Sequence, residues 1–304
     1  MNPVFNKSER RLRAGLRIPV FLFFSFLAVG IGQSILETGV SYLFSILFSF
    51  GVLWLFMRFM DNRPDISIAG LGSDLQWIKE CLIGSGVGMV SMSVIFIIQW
   101  LTGTITISGF GWEFYGEVHW LVPIGIGFIQ MVSVGFYEEW MFRSYLLVNL
   151  KEGFSSDRFT PGKATITAVV FSSALFGLAH AFNDNATVVS VVNITFAGIM
   201  LAIPFVLTGR LSFSVGLHFA WNFFQGSIFG FRVSGLSVRN SLITIQQHGP
   251  EWWTGGSFGP EGGLLGLTMV VLISWFFIWY TNRGEEKLKL DTRFEKSYAD
   301  LYNV

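Results

Sequence analysis

This chain holds a single cysteine, Cys81, which excludes an intrachain disulfide framework and any zinc site built on cysteines. Charge is scarce as well. Asp, Glu, Lys and Arg make up 13% of the 304 residues, against roughly 25% in soluble globular domains. What charge there is cancels, 20 acidic against 20 basic residues, so nothing in the balance points to nucleic acid. Apolar residues fill the gap: 52% of the chain is hydrophobic, with 33 Phe and 11 Trp, and the mean hydropathy is +0.56. A membrane-spanning helix takes about 20 mostly apolar residues, so eight of them would use ~160, close to that share. Composition thus excludes an ordinary soluble enzyme, a disordered chain and a collagen-like one. It points to an all-α integral membrane protein.

Apolar runs fall at 18–36, 38–57, 81–101, 121–148, 164–182, 186–207, 211–230 and 263–281. The first leads straight into the second and lacks a small-x-small cleavage site, so it reads as a retained span rather than a signal peptide. About eight transmembrane helices with both termini cytoplasmic can be tested by counting positive charge. Seventeen of the twenty basic residues then fall inside: Lys7, Arg10, Arg11, Arg13 and Arg17 before the first span; Arg58, Arg63 and Lys79; Lys151, Arg158 and Lys163; Arg210; and Arg283, Lys287, Lys289, Arg293 and Lys296 in the tail. Outside remain Arg232 and Arg239, with Arg143 inside a span. That asymmetry is the positive-inside pattern. The expected organisation is one polytopic domain over 1–304: peripheral spans in 18–120, core spans in 121–230, a last span at 263–281 and a cytoplasmic tail over 282–304. The polar stretch 61–80 is expected to form a short interfacial helix. The outer loop 231–262 carries Trp252 and Trp253, read as headgroup anchors, with gating of a substrate as the alternative. His119 and His248 sit in outer loops and read as solvated or interfacial. No inverted repeat suggests a transporter.

Ionisable groups within a bilayer are costly, so each one is a functional candidate. Away from the span edges these are Glu138, Glu139, Arg143, His180 and His218, with Asn222 as a polar companion. Glu139 and Arg143 lie four apart and share a helix face, which suits a neutralising, structural pair. Glu138 is turned about 100° from its neighbour and is free to meet another partner, as a base that later acts as an acid would need. His218 and Asn222, also four apart, offer two groups to a developing oxyanion. His180 shares its face with Phe176. The set reads as a base, a water-orienting group and a pair of donors, the parts of a hydrolase. Each part also has a plainer use, as a packing ion pair or an interhelical hydrogen bond.

At these residues the chain resembles the CPBP family of intramembrane proteases, the CAAX-processing and bacteriocin-processing type. The blocks that carry the resemblance are Glu138-Glu139-Trp-Met-Phe-Arg143, Phe176 with His180, and His218 with Asn222, in that order, within roughly 121–225. The resemblance implies a glutamate-dependent endopeptidase with its active site among spans four to seven. In it Glu138 activates water, His180 orients that water, His218 and Asn222 stabilise the oxyanion, and Glu139 and Arg143 support them. It implies a membrane-associated or lipidated peptide or protein as substrate and no cofactor. The short, compact chain makes a prokaryotic plasma membrane the default location, with the endoplasmic reticulum as the alternative. A zinc ion on Glu138, His180 and His218 is the alternative, since two histidines and a carboxylate can form a catalytic zinc site. Two other functions stand beside the peptidase: a non-catalytic scaffold or bacteriocin-immunity-type peptide binder, and a carrier using the two glutamates. The depths of the two histidines resist the peptidase reading. At 1.5 Å per residue, His180 lies ~24 Å into its span and His218 only ~10 Å into its own, both from the cytoplasmic side. For the two to meet, span five must tilt, start earlier, or be followed by a re-entrant turn near Asn183-Asp184-Asn185.

Overall fold

The computed structural model describes residues 4–6, 11–36, 38–63, 65–114, 119–155, 159–238, 241–283 and 288–296. Of the basic residues used in the charge count, Lys7, Arg10, Arg158, Arg239 and Lys287 lie outside them. The main helices are α1 (Ala14–Ser34), α2 (Gly39–Met60), α3 (Leu75–Leu101), α4 (Leu121–Phe154), α5 (Pro161–Phe182), α6 (Val188–Thr208), α7 (Ser212–Asn222, continued as a π turn over Phe223–Ile228) and α8 (Leu264–Thr281). All but α7 are long and apolar enough to cross a membrane, so among the described residues the expected eight long spans become seven. The exception is the helix that carries His218 and Asn222, which is almost wholly buried in the bundle. Outward-facing residues such as Phe23, Phe59, Leu82, Ile166 and Trp275 are exposed. An apolar surface this wide suits lipid rather than water.

Span boundaries move where charges are paired or capped. Asp74 accepts the Trp77 N–H at 2.9 Å and starts α3 ahead of the expected residue 81. Glu80 stays helical because it is partnered across the bundle by Arg210 and by the Ser212 hydroxyl at 2.5 Å. The interfacial helix expected over 61–80 is therefore replaced by a 3₁₀ turn at Ile66–Ala69 and the first turns of α3. Span four likewise runs on to Phe154. At α6 a capping box joins Thr187 and Ser190.

α7 runs parallel to α3, with Phe213 beside Gly84 and Phe229 stacked on Phe96 at 4.5 Å. The two helices approach closely because small residues line the seam. A Cβ at Gly88 would meet the Leu217 carbonyl and the Trp221 nitrogen, both at 2.8 Å. Gly88→Val is therefore expected to push α7 off α3 and displace His218 with it. The check is thermal unfolding in detergent, where a drop of about 1–3 kcal/mol in stability is expected from overpacking. Unchanged unfolding would show that the seam can open at no cost.

The described ends of the chain gather at one end of the bundle. Arg17 donates to Asp61 at 2.5 Å, Arg11 to Glu152 at 3.0 Å, and Arg63 pairs with both acids. Tyr145 and Asn149 of α4 complete the shell of Asp61 at 3.0 and 3.2 Å. Close by, Lys151 donates to the Arg293 carbonyl at 2.9 Å and Thr165 to that of Phe294 at 2.9 Å. At the opposite end, β1 (Ile105–Phe110) and β2 (Ile243–Gln247) pair antiparallel. Next to them the loop after α7 folds back into the bundle instead of lying on the surface: Thr254, Phe258, Pro260 and Glu261 are all buried. Trp252 is exposed, as an anchor would be, whereas Trp253 packs against the core around Phe213 and Phe277.

Candidate active site

Three helices supply the polar blocks, and two of them change their winding, α4 directly after Glu139 and α7 directly after Asn222. α4 is α-helical through Glu139 and π-helical over Trp140–Leu147. α7 is α-helical through Asn222 and π-helical over Phe223–Ile228. A π turn shifts the register of the residues after it and is common at functional sites. Here it lets Glu138 and Glu139 face α7 while residues 141–149 are all buried in the core shared with α1, α2 and α5.

His218 sits between the two carboxylates. Its Nδ1–H donates to Glu139 Oε1 at 2.8 Å, and its Nε2 lies 3.6 Å from Glu138 Oε2. Because an ionised carboxylate only accepts, the bond to Glu139 places a proton on Nδ1 and fixes the ring with Nε2 toward Glu138. Glu139 is 0% exposed and also pairs with Arg143 at 3.1 Å. Arg143 extends beneath the Phe176 ring, 4.3 Å from its centre, and donates to the Gly198 carbonyl at 3.3 Å. One guanidinium thus joins α4 to α5 and α6. Glu138 stands differently: its side chain is 17% exposed, it lines a cavity, and its Oε2 has no hydrogen-bond partner.

His180 comes at the end of α5, as the first residue of a 3₁₀ turn. Its Nδ1–H donates to the Phe176 carbonyl at 2.8 Å, and its ring meets the Phe176 ring edge-on at 4.7 Å. The same ring also meets His218 edge-on, with 6.1 Å between ring centres. This resolves the mismatch in depth: the two histidines do not touch, and Phe176, one turn earlier on α5, spans the gap. Glu138, His180, His218 and Asn222 nevertheless line the same cavity, of about 330 Å³. Its other walls are largely apolar and include Met131, Phe142, Ile194 and Leu201.

Among the described residues no three His, Cys, Asp or Glu side chains are grouped so as to hold a metal ion. His218 and His180 each engage Nδ1, one with Glu139 and one with the Phe176 carbonyl, so Nε2 is the ring nitrogen each could offer to a ligand.

Several cavity residues carry no signature in the sequence. Asn193, Trp221, Ser234 and Glu261 meet at the wall nearest the outer loop, and Tyr42 and Gln130 at the side nearest α2. Asn193 and Trp221 lie within apolar runs, and Ser234 and Glu261 in a loop. Only tertiary contacts single them out.

Fold and site together define a polytopic membrane protein with a carboxylate–imidazole cluster facing an intramembrane cavity. Residues 120–224 match the family model described as type II CAAX prenyl endopeptidase Rce1-like. That stretch, about a third of the chain, contains the Glu-Glu pair, Arg143, both cavity histidines and Asn222. The match agrees with the resemblance drawn from the motifs, and the family it names is one of proteases. No curated protein and no solved structure matches the chain.

Proposed function

We propose that the protein is an intramembrane endopeptidase that uses Glu138 to activate water against a peptide bond of a membrane-associated or lipidated substrate. The observation that carries the reading is the state of Glu138, an unpartnered carboxylate oxygen inside a largely apolar cavity, 3.6 Å from an imidazole already oriented by a second carboxylate. In this reading water bridges Glu138 and His218 Nε2. Glu138 takes a proton from the water as its oxygen bonds to the carbonyl carbon. The negative charge moves to the carbonyl oxygen, where the Asn222 amide N–H donates to it. Glu138 then passes its proton to the amide nitrogen as the C–N bond breaks. His218 is closer to Glu138 than His180 is, so water orientation moves to His218, and His180 serves as the cavity wall behind Phe176. Glu139 and Arg143 hold His218 in place.

The test compares the termini of membrane proteins and secreted peptides between cells carrying the wild type and cells carrying Glu138→Ala. New termini that vanish in the variant are expected, and their positions identify the substrate. Identical termini with the variant stably present would replace the peptidase with a peptide-binding scaffold. On this metal-free reading, purified enzyme is expected to retain its activity after chelation and dialysis. Loss that is restored by added zinc would overturn the metal-free mechanism.

A further inference from the structure

Loops normally run over the surface, and non-helical backbone at membrane depth persists only where protein covers it or it lines a cavity. The segment after α7 does both. Residues 231–238 and 254–263 fold against the bundle, with Phe231, Val233, Thr254, Phe258 and Glu261 buried while Leu236 stays exposed. Their carbonyls are bonded by side-chain amides from α6, α7 and the turn after α5: Asn183 to Ser234 at 2.9 Å, Gln225 to Arg232 at 2.7 Å, and Asn193 to Glu261 at 3.0 Å. Val233 to Leu236 form a two-residue hairpin turn, closed by bonds of 3.0 and 2.9 Å. Its central residues are Ser234 at φ 47° and Gly235 at φ 86°. Both are left-handed, as a type I′ turn requires. Glycine adopts that geometry freely. Serine does not, and a non-glycine residue held there is strained.

What holds Ser234 is Glu261. Its Oε2 accepts the Ser234 N–H at 2.7 Å and the Ser234 hydroxyl at 2.9 Å, while its Oε1 accepts the Trp221 indole N–H at 3.3 Å. Trp221 lies on α7 between His218 and Asn222, in the same turn as Asn222. A buried carboxylate therefore ties the strap to the helix turn that carries two candidate catalytic groups. It has no basic partner among the described residues, so its charge rests on these donors, and removing them would strand it. The strap lies across the cavity: Val233, Ser234, Leu236, Ser237 and Val238 all line it, as do Trp221 and Glu261.

We propose that Glu261 is a positioning residue that clamps the Val233–Val238 strap onto α7, and that the clamped strap ends the cavity and so limits the length of the apolar substrate group it admits. The length limit rests on the peptidase reading; the clamp itself does not. Neither Glu261 nor the strap lies in the 120–224 stretch that matches the family, so this wall belongs to the part of the chain outside the match.

Two readouts test the proposal. The first places a reporter thiol by Val270→Cys, on the α8 side of the cavity, in a Cys81→Ser background. Val270 lines the cavity and is buried. A water-soluble maleimide should label it slowly in otherwise wild-type protein. Labelling should be about tenfold faster with Glu261→Ala, given three bonds to a charged group, and intermediate with Glu261→Gln, which keeps one acceptor. Labelling of Cys81, measured in the unsubstituted background, should not change, since general loosening would raise both. The second readout is hydrolysis of a peptide carrying a graded series of S-alkyl chains. Wild type should show a cut-off through KM, and Glu261→Ala should raise kcat/KM for long chains relative to short ones about tenfold.

Folded Glu261→Ala with wild-type labelling overturns the clamp. Faster labelling with an unchanged length profile overturns the length limit. Faster labelling where wild type hydrolyses no member of the series leaves the clamp standing and removes the peptidase reading instead. Should Glu261→Ala fail to fold, Ser234→Ala, which removes one bond only, carries both comparisons under the same criteria.

Discussion

Glu138→Gln is expected to lower hydrolysis by about 10²–10⁴-fold, the range a positioned general base contributes, while the protein folds and accumulates normally. The substitution is nearly isosteric, and the lost oxygen costs no hydrogen bond, because Glu138 Oε2 has none. The amide can neither take the water's proton nor return it to the leaving nitrogen. The measurement is single-turnover cleavage of a substrate identified from the altered termini, alongside thermal unfolding of both proteins. Retained hydrolysis would move the base elsewhere in the cluster. Retained peptide binding without hydrolysis is the expected companion result, since Glu138 forms only part of the cavity wall.

Arg143→Ala should instead act on the fold. Glu139 is fully buried, and Arg143 is its cationic neighbour on α4. Removing one member of a buried pair strands the other, at a cost of about 3–5 kcal/mol. The variant also gives up the packing beneath Phe176 and the bond to the Gly198 carbonyl, so α4 loses its hold on α5 and α6. Folded yield in membranes and unfolding temperature in detergent should both fall. Removing the two charges together, by Glu139→Gln with Arg143→Met, should recover much of the folded yield, because no uncompensated charge remains. That double variant should still hydrolyse poorly: a glutamine gives His218 Nδ1 a weaker acceptor than the carboxylate 2.8 Å away. If Arg143→Ala accumulates at wild-type levels but is inactive, the pair belongs to the chemistry and not to the scaffold.

The two predictions separate because neighbouring glutamates on one helix face different surroundings. Glu139 is closed in by His218 and Arg143, and Glu138 opens on the cavity. A rotation of about 100° between adjacent residues is enough to divide the roles, and it follows from the helix alone.

Much of this protein was determined by local patterns. Long apolar runs with unpaired charge kept out of them make membrane helices, since a bilayer leaves a segment of that length no better choice. The i, i+4 spacing of Glu139 with Arg143 and of His218 with Asn222 puts each pair on one face. The scarcity of ionisable residues inside spans then singled out the candidates. Span ends were less legible, because Glu80 and Arg210 cancel across 130 residues and let α3 start inside a stretch that reads as polar. The helix around His218 reads in sequence as a full span, although its polar faces are met by neighbours rather than lipid. Only the tertiary structure decided that His218 and not His180 stands beside Glu138, that Phe176 separates the two rings, and that Glu261 reaches back to Ser234 and Trp221. It also joined Arg11, Arg17, Asp61 and Glu152 into one buried network. Each of these depends on side chains far apart in sequence sharing a low-dielectric interior, where a charge or a strained turn persists only if a partner from another element meets it. Periodicity along one helix carries no record of which partner that is.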